Sequence, residues 1–311
     1  MADIAVFPPH VALGIIAFLL SLLPAGFFIW LWYLRHHNRS VKAGVIAAAF
    51  GVGLLSVPAA FFVEDLAGQN WQRFFPATAH YFEGPVLPIQ TLTDVFLPAV
   101  GTFLVVATIE EGIRYFIMRW WFRRSKKVDQ VFDGLMIGVA LGLGFATLEN
   151  TLYFLGLFQE GSYNSLVFVF FLRFMISTLA HLSFAGIMGA LIAQGVFNLY
   201  AARGYFVAAF FLPWFVHGLF DLLLGINFGL YAVLILVPPL LVLVYWTQRR
   251  DFFIIHRREG KFLEQAQPPQ STEVQAVQQV LKNMDSPWNK DAPWLSRSTS
   301  YRKILDTMKK S

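Results

Sequence analysis

Six ionisable side chains lie inside otherwise apolar stretches in the middle of this chain: Glu110 and Glu111, Glu149, His181, and His217 with Asp221. A charged group at the bilayer centre costs about 2.5 to 3.5 kcal/mol on insertion scales and is rarely kept without a task. Carboxylates and imidazoles are also the side chains that move protons, stabilise oxyanions and ligate metals. Glu110, Glu111 and Arg114 fall at i, i+1 and i+4. Arg114 therefore sits one turn from both carboxylates, can neutralise one of them, and leaves the other available as a general base. An ion pair that merely holds a helix bundle together reads the same three residues without chemistry. Asp221 lies one turn from His217, where a carboxylate can fix the imidazole tautomer. Glu149 and Arg173 are each expected about 12 to 15 Å deep from the same end of consecutive spans, counted at 1.5 Å per residue. They can pair, which makes Glu149 a supporting carboxylate held by Arg173, with Asn150 beside it helping to line the site.

The elements that carry these residues are membrane spans. Hydrophobic residues make up 57% of the chain, aromatics 17%, and charged residues only 14%, well beyond the apolar share of an ordinary soluble domain. Seven stretches reach or approach the roughly 20 apolar residues that cross a bilayer as helix, at about 11–34, 43–63, 95–118, 132–158, 165–199, 205–225 and 228–247. The fifth is too long for one upright span and must tilt, kink or project. The fold class is all-α, a polytopic bundle of about seven transmembrane helices.

Basic residues orient it. Arg35, Arg39 and Lys42 follow the first span; Arg119, Arg123, Arg124, Lys126 and Lys127 the third; Arg203 the fifth; Arg249, Arg250, Arg257, Arg258 and Lys261 the seventh. The loops on the opposite side, about 64–94, 159–164 and 226–227, hold only Arg73. Positive-inside asymmetry puts the N-terminus outside and the C-terminus in the cytoplasm. The pI near 9.4 follows from this topology and needs no nucleic-acid partner. The N-terminus has no basic region ahead of a short apolar core, so the first span reads as a retained helix rather than a cleaved signal. There is no cysteine, which excludes thiol nucleophiles, thiolate ligands and disulfides. Residues 1–261 read as one membrane domain, with 262–311 a cytoplasmic tail made of a proline-containing linker and a short helix over Thr272 to Met284.

Two stripes of small residues indicate how the helices meet. Gly134, Gly138 and Gly142 recur every four residues along the fourth span; His181, Ala185, Gly189 and Ala193 share a face of the fifth. Such stripes allow backbones to approach closely in membranes.

The order of motifs resembles the PrsW family of intramembrane proteases: Glu110-Glu111-x-x-Arg114, Asp133-Gly134 leading to Gly144-Phe145-Ala146-x-x-Glu149-Asn150, Arg173 with His181 and Gly189, and His217-x-x-x-Asp221. That family is grouped with the CAAX prenyl proteases and bacteriocin-processing enzymes in a glutamate-dependent superfamily. The resemblance covers about 105–225 and departs at Arg114, where the family more usually has Lys. It implies an endopeptidase of the bacterial cytoplasmic membrane acting on single-pass membrane proteins such as anti-sigma factors, with the lipid bilayer as its medium. In that reading one of Glu110 and Glu111 activates water, His181 and His217 polarise the scissile carbonyl, and Asp221 orients His217. Arg114, Glu149, Asn150 and Arg173 support them. No cofactor is required, although Glu111, His181 and His217 are also an acceptable zinc set with an open position. An ion- or proton-coupled transporter or channel is the alternative use of the same residues.

Overall fold

The computed structural model describes residues 9–34, 41–74, 89–124, 131–198 and 200–245. The chain separates into two compact units, Met1–Leu243 and Val244–Ser311. Of the second unit only Val244 and Tyr245 are described, so the expected linker and short helix in 262–311 lie outside the described residues.

Apolar composition over long runs dictates helix, because backbone polar groups have no partner in lipid unless the segment bonds to itself. Among the described residues every regular element is helical: α1 (Pro9–Ile29), α2 (Ala43–Phe74), α3 (Thr93–Val100), α4 (Thr108–Arg124), α5 (Val131–Gln159), α6 (Tyr163–Leu172), α7 (Thr178–Phe197) and α8 (Ala202–Gly225). A further apolar helix, α9, covers Gly229–Tyr245. Three π-helical segments interrupt this series, Trp30–Leu34, Gly101–Ala107 and Arg173–Ser177. The last two join α3 to α4 and α6 to α7, giving continuous rods over Thr93–Arg124 and Tyr163–Phe197. Among the described residues six helices are long and apolar enough to cross a membrane, with α9 shorter. The polytopic membrane bundle is thus observed.

Its second helix differs from expectation. The second span was to end near residue 63, yet α2 continues to Phe74. Its 32 residues amount to about 48 Å at 1.5 Å per residue, well beyond a hydrocarbon core of about 30 Å. The segment 64–74 is therefore helix rather than loop.

The interior is organised around α5, which is buried along almost its whole length. A Cβ added at Gly134, Gly138 or Gly142 would lie 2.4, 2.1 and 2.5 Å from the carbonyl oxygens of Gly189, Ala185 and His181. The two stripes thus face each other rung by rung, and the seam runs up to the histidine. On its opposite side α5 meets α2 as closely: Gly144 touches the Phe50 carbonyl and Gly53 the Leu141 carbonyl. Val57 and Ala60 of α2 then pack on Phe145, with Ile109 and Ile113 of α4 alongside.

Candidate active site

Each polar group reaches the centre because a helix irregularity or a tight seam places it there. A π-helical turn leaves carbonyls without their usual i+4 partner, and such turns cluster at functional sites. In Gly101–Ala107 the Phe103 carbonyl is taken up by the Thr108 hydroxyl at 2.7 Å and by the Trp214 indole N–H at 2.9 Å. The turn thereby fixes the start of α4, two residues before Glu110, and ties it to α8. In Arg173–Ser177 the Arg173 carbonyl accepts from the Thr178 hydroxyl at 2.9 Å, and that hydroxyl accepts from the Asn150 amide at 3.2 Å. Arg173 in turn donates through Nε to the Asn150 carbonyl oxygen, through its terminal nitrogen to Glu149 at 2.8 Å and to Ser177 Oγ at 3.1 Å. Its guanidinium lies on the Tyr153 ring at 3.6 Å.

Arg114 is the hub, fully buried with its guanidinium over Phe145 at 4.1 Å. One terminal nitrogen donates to Glu111 and the other to Glu110. The second also stands 3.2 Å from His181 Nδ1. A guanidinium only donates, so Nδ1 carries the lone pair and the proton sits on Nε2, which faces Glu149 Oε2 at 2.5 Å. Arg114 was expected to neutralise one carboxylate. It holds both, because at i+3 and i+4 a forked side chain can reach two neighbours that a single-point cation could not.

His217 completes the cluster. Its Nδ1 is 2.8 Å from Glu111 Oε1; its Nε2 is 3.1 Å from Asp221 Oδ2 and 3.9 Å from Glu110 Oε2. The ring stacks on Phe184 at 5.2 Å and meets His181 edge-on at 5.8 Å. Glu110, Glu111, His181, His217 and Asp221 are thus brought together, with Glu149 joined through His181. Asn150 and Arg173 stand behind Glu149.

The two adjacent glutamates are not equivalent. Glu111 has no exposed side-chain surface, whereas Glu110 retains 10%. Exposure rises further at Glu149, 15%, and Asp221, 27%, so the cluster opens toward those two.

One group was missed. Glu64, on α2, carries a buried Oε1 with no hydrogen-bond partner and lies within Coulombic range of Glu149, His217, Arg114, Asp221 and Glu110. Its signal in the sequence was a carboxylate directly following an apolar run. A span boundary drawn at residue 63 reads that as the first residue of a loop.

Polar side chains thus meet in one buried cluster, on helices long and apolar enough to cross a membrane. Residues 41–247 match the family described as PrsW family intramembrane metalloprotease. Among curated relatives, Protease PrsW of Geobacillus kaustophilus is 30% identical over 174 residues, 55% of this chain and 70% of the relative. That of Clostridioides difficile is 34% identical over 144 residues, 46% and 58% respectively, and that of Bacillus subtilis 28% over 217 residues, 66% and 90%. No solved structure matches the chain. The chain belongs to the PrsW family and is an integral membrane peptidase.

The family description names a metal. Glu111, His181 and His217, the zinc set considered from the sequence, do not fit one as they stand. The Arg114 guanidinium occupies the space between Glu111 and His181 Nδ1, and both nitrogens of His217 face carboxylates. Among the described residues no three His, Asp or Glu side chains converge as a cation site.

Proposed function

We propose that this peptidase hydrolyses a peptide bond of single-pass membrane proteins, with Glu110 as the general base. The observation that carries the assignment is the asymmetry of the pair: Glu111 is sealed and committed to Arg114 and His217, whereas Glu110 keeps exposed surface and stands 3.9 Å from His217 Nε2, a gap that a water can bridge. Glu110 takes a proton from that water as the oxygen adds to the scissile carbonyl carbon. The proton then passes to the amide nitrogen as the C–N bond breaks. Arg114 and His217 place positive charge near the developing oxyanion, with His181 beside them. Asp221 and Glu111 hold the ring of His217, as Glu149 and Arg114 hold that of His181. In this reading these side chains carry out the water activation themselves.

The basic residues that follow alternate spans support an outside N-terminus and a bacterial cytoplasmic membrane, with bacterial relatives in agreement. An anti-sigma factor is one substrate of the stated kind. The test is cleavage by purified protein in liposomes of a panel of single-pass substrates, in water enriched in ¹⁸O. New C-termini carrying the heavy oxygen, absent in His217→Ala, are expected. Ion flux across the liposomes without cleavage would replace this reading with a transporter.

A further inference from the structure

The packing face of α2 does not end with apolar residues. Gly53 meets α5 backbone, Val57 and Ala60 pack on Phe145 with Leu148 beside them, and Glu64 follows at i+4 from Ala60 and i+7 from Val57. These positions form one stripe. Contacts climb α5 in step with α2, from Leu141 opposite Gly53 to Phe145 against Val57 and Ala60, and the next turn of α2 brings Glu64 within range of the Glu149 charge. The charged and titratable groups whose fields reach it come from three elements: Glu110 and Arg114 on α4, Glu149 on α5, His217 and Asp221 on α8.

A buried carboxylate oxygen without a donor is costly and points to solvent or an ion at that position. Glu64 is only partly buried as a residue, its neighbour Asp65 is exposed, and yet its Oε1 is sealed. The side chain therefore spans from accessible surface to the edge of the cluster, on the side where Glu149 and Asp221 are the more exposed members.

We propose that Glu64 is a positioning residue of the peptidase site, anchoring the water that enters from the open side of the cluster and feeds Glu110. This rests on the hydrolytic reading of the same cluster. Hydrolysis consumes one water per bond cut, and a site enclosed by apolar helices must hold its supply on polar groups. Glu64 offers an acceptor at the entrance that none of the groups around Arg114 takes up. It acts through water and does not touch the substrate.

The chain has no cysteine, which makes Glu64→Cys a clean probe in the full-length protein. The thiol is expected to react with small water-soluble methanethiosulfonates, because water reaches it. Glu64→Gln and unlabelled Glu64→Cys should both lower kcat by roughly tenfold to a hundredfold, the range for groups that orient a reacting centre, with KM and melting temperature little changed. Labelling with a carboxyethyl reagent should restore most of the rate; labelling with an aminoethyl reagent of similar size should not. A thiol that resists labelling, a wild-type kcat in Glu64→Gln, or equal rescue by both reagents would overturn the proposal. If the wild-type protein cleaves nothing, the hydrolytic reading fails, while the labelling still decides whether water is held at this position.

Discussion

The seam between α5 and α7 and the polar cluster at its end share His181 yet are held by different physics. Along the seam nothing but size matters: Gly134, Gly138 and Gly142 have no room for a Cβ, and the opposing atoms are backbone or the Cβ of an alanine, which cannot swing aside. In the cluster, size is secondary and charge decides, since Arg114, with no exposed surface, is balanced by Glu110 and Glu111 and removing one partner strands another. His181 belongs to both, with its carbonyl against Gly142 and its ring between Arg114 and Glu149. Packing along the seam therefore fixes where the cluster sits, and charge fixes which groups face one another within it.

The largest effect is expected from breaking the seam. Gly138→Leu must push α7 away, a change of about 3 kcal/mol or more, at the upper end for overpacking a core. Folded protein, measured by size-exclusion profile and melting temperature in detergent, should be lost together with activity. Substitutions in the cluster should weigh the two readouts differently: Glu111→Gln leaves the buried Arg114 with Glu110 as its remaining carboxylate partner and frees Nδ1 of His217, so the melting temperature falls but folded protein is retained, while cleavage falls about 100-fold, the upper end for a group that positions a reacting side chain. Asp221→Asn removes only the carboxylate that holds one ring nitrogen of His217, so about 10- to 100-fold in kcat is expected from steady-state kinetics. At the small end, Gly112→Ala lies beside Glu111 in sequence but its Cβ would meet nothing within 4 Å. Melting temperature and rate should both stay at wild-type values. A large loss there would show that proximity in sequence, rather than packing or charge, governs the site.

Much of this division is legible in the residues. Small side chains at a four-residue spacing announce the seam before any coordinate, because 3.6 residues per turn leaves them on one face. Charges inside apolar runs announce the cluster, because lipid makes them expensive. The pairing of Glu149 with Arg173 follows from depth alone. Three things were hidden. The π-helical turns at Gly101–Ala107 and Arg173–Ser177 depend on distant partners such as Trp214 and Asn150, which no local pattern reveals. The fork of Arg114 across both glutamates is a choice of side-chain conformation that spacing permits but does not select. Glu64 was lost to a boundary drawn by hydropathy, although α2 continues as helix through its polar end.

The central claim is that a carboxylate among these groups, Glu110, activates the water. Single-turnover cleavage of a single-pass substrate by Glu110→Gln in liposomes tests it most directly, with melting temperature as the control for folding and a chelator as a second arm. The predicted result is a folded protein whose rate falls on the order of 10² to 10⁴, beside a wild-type rate that chelation leaves unchanged. A Glu110→Gln rate within tenfold of wild type, or wild-type cleavage abolished by the chelator and restored by added zinc, would contradict it.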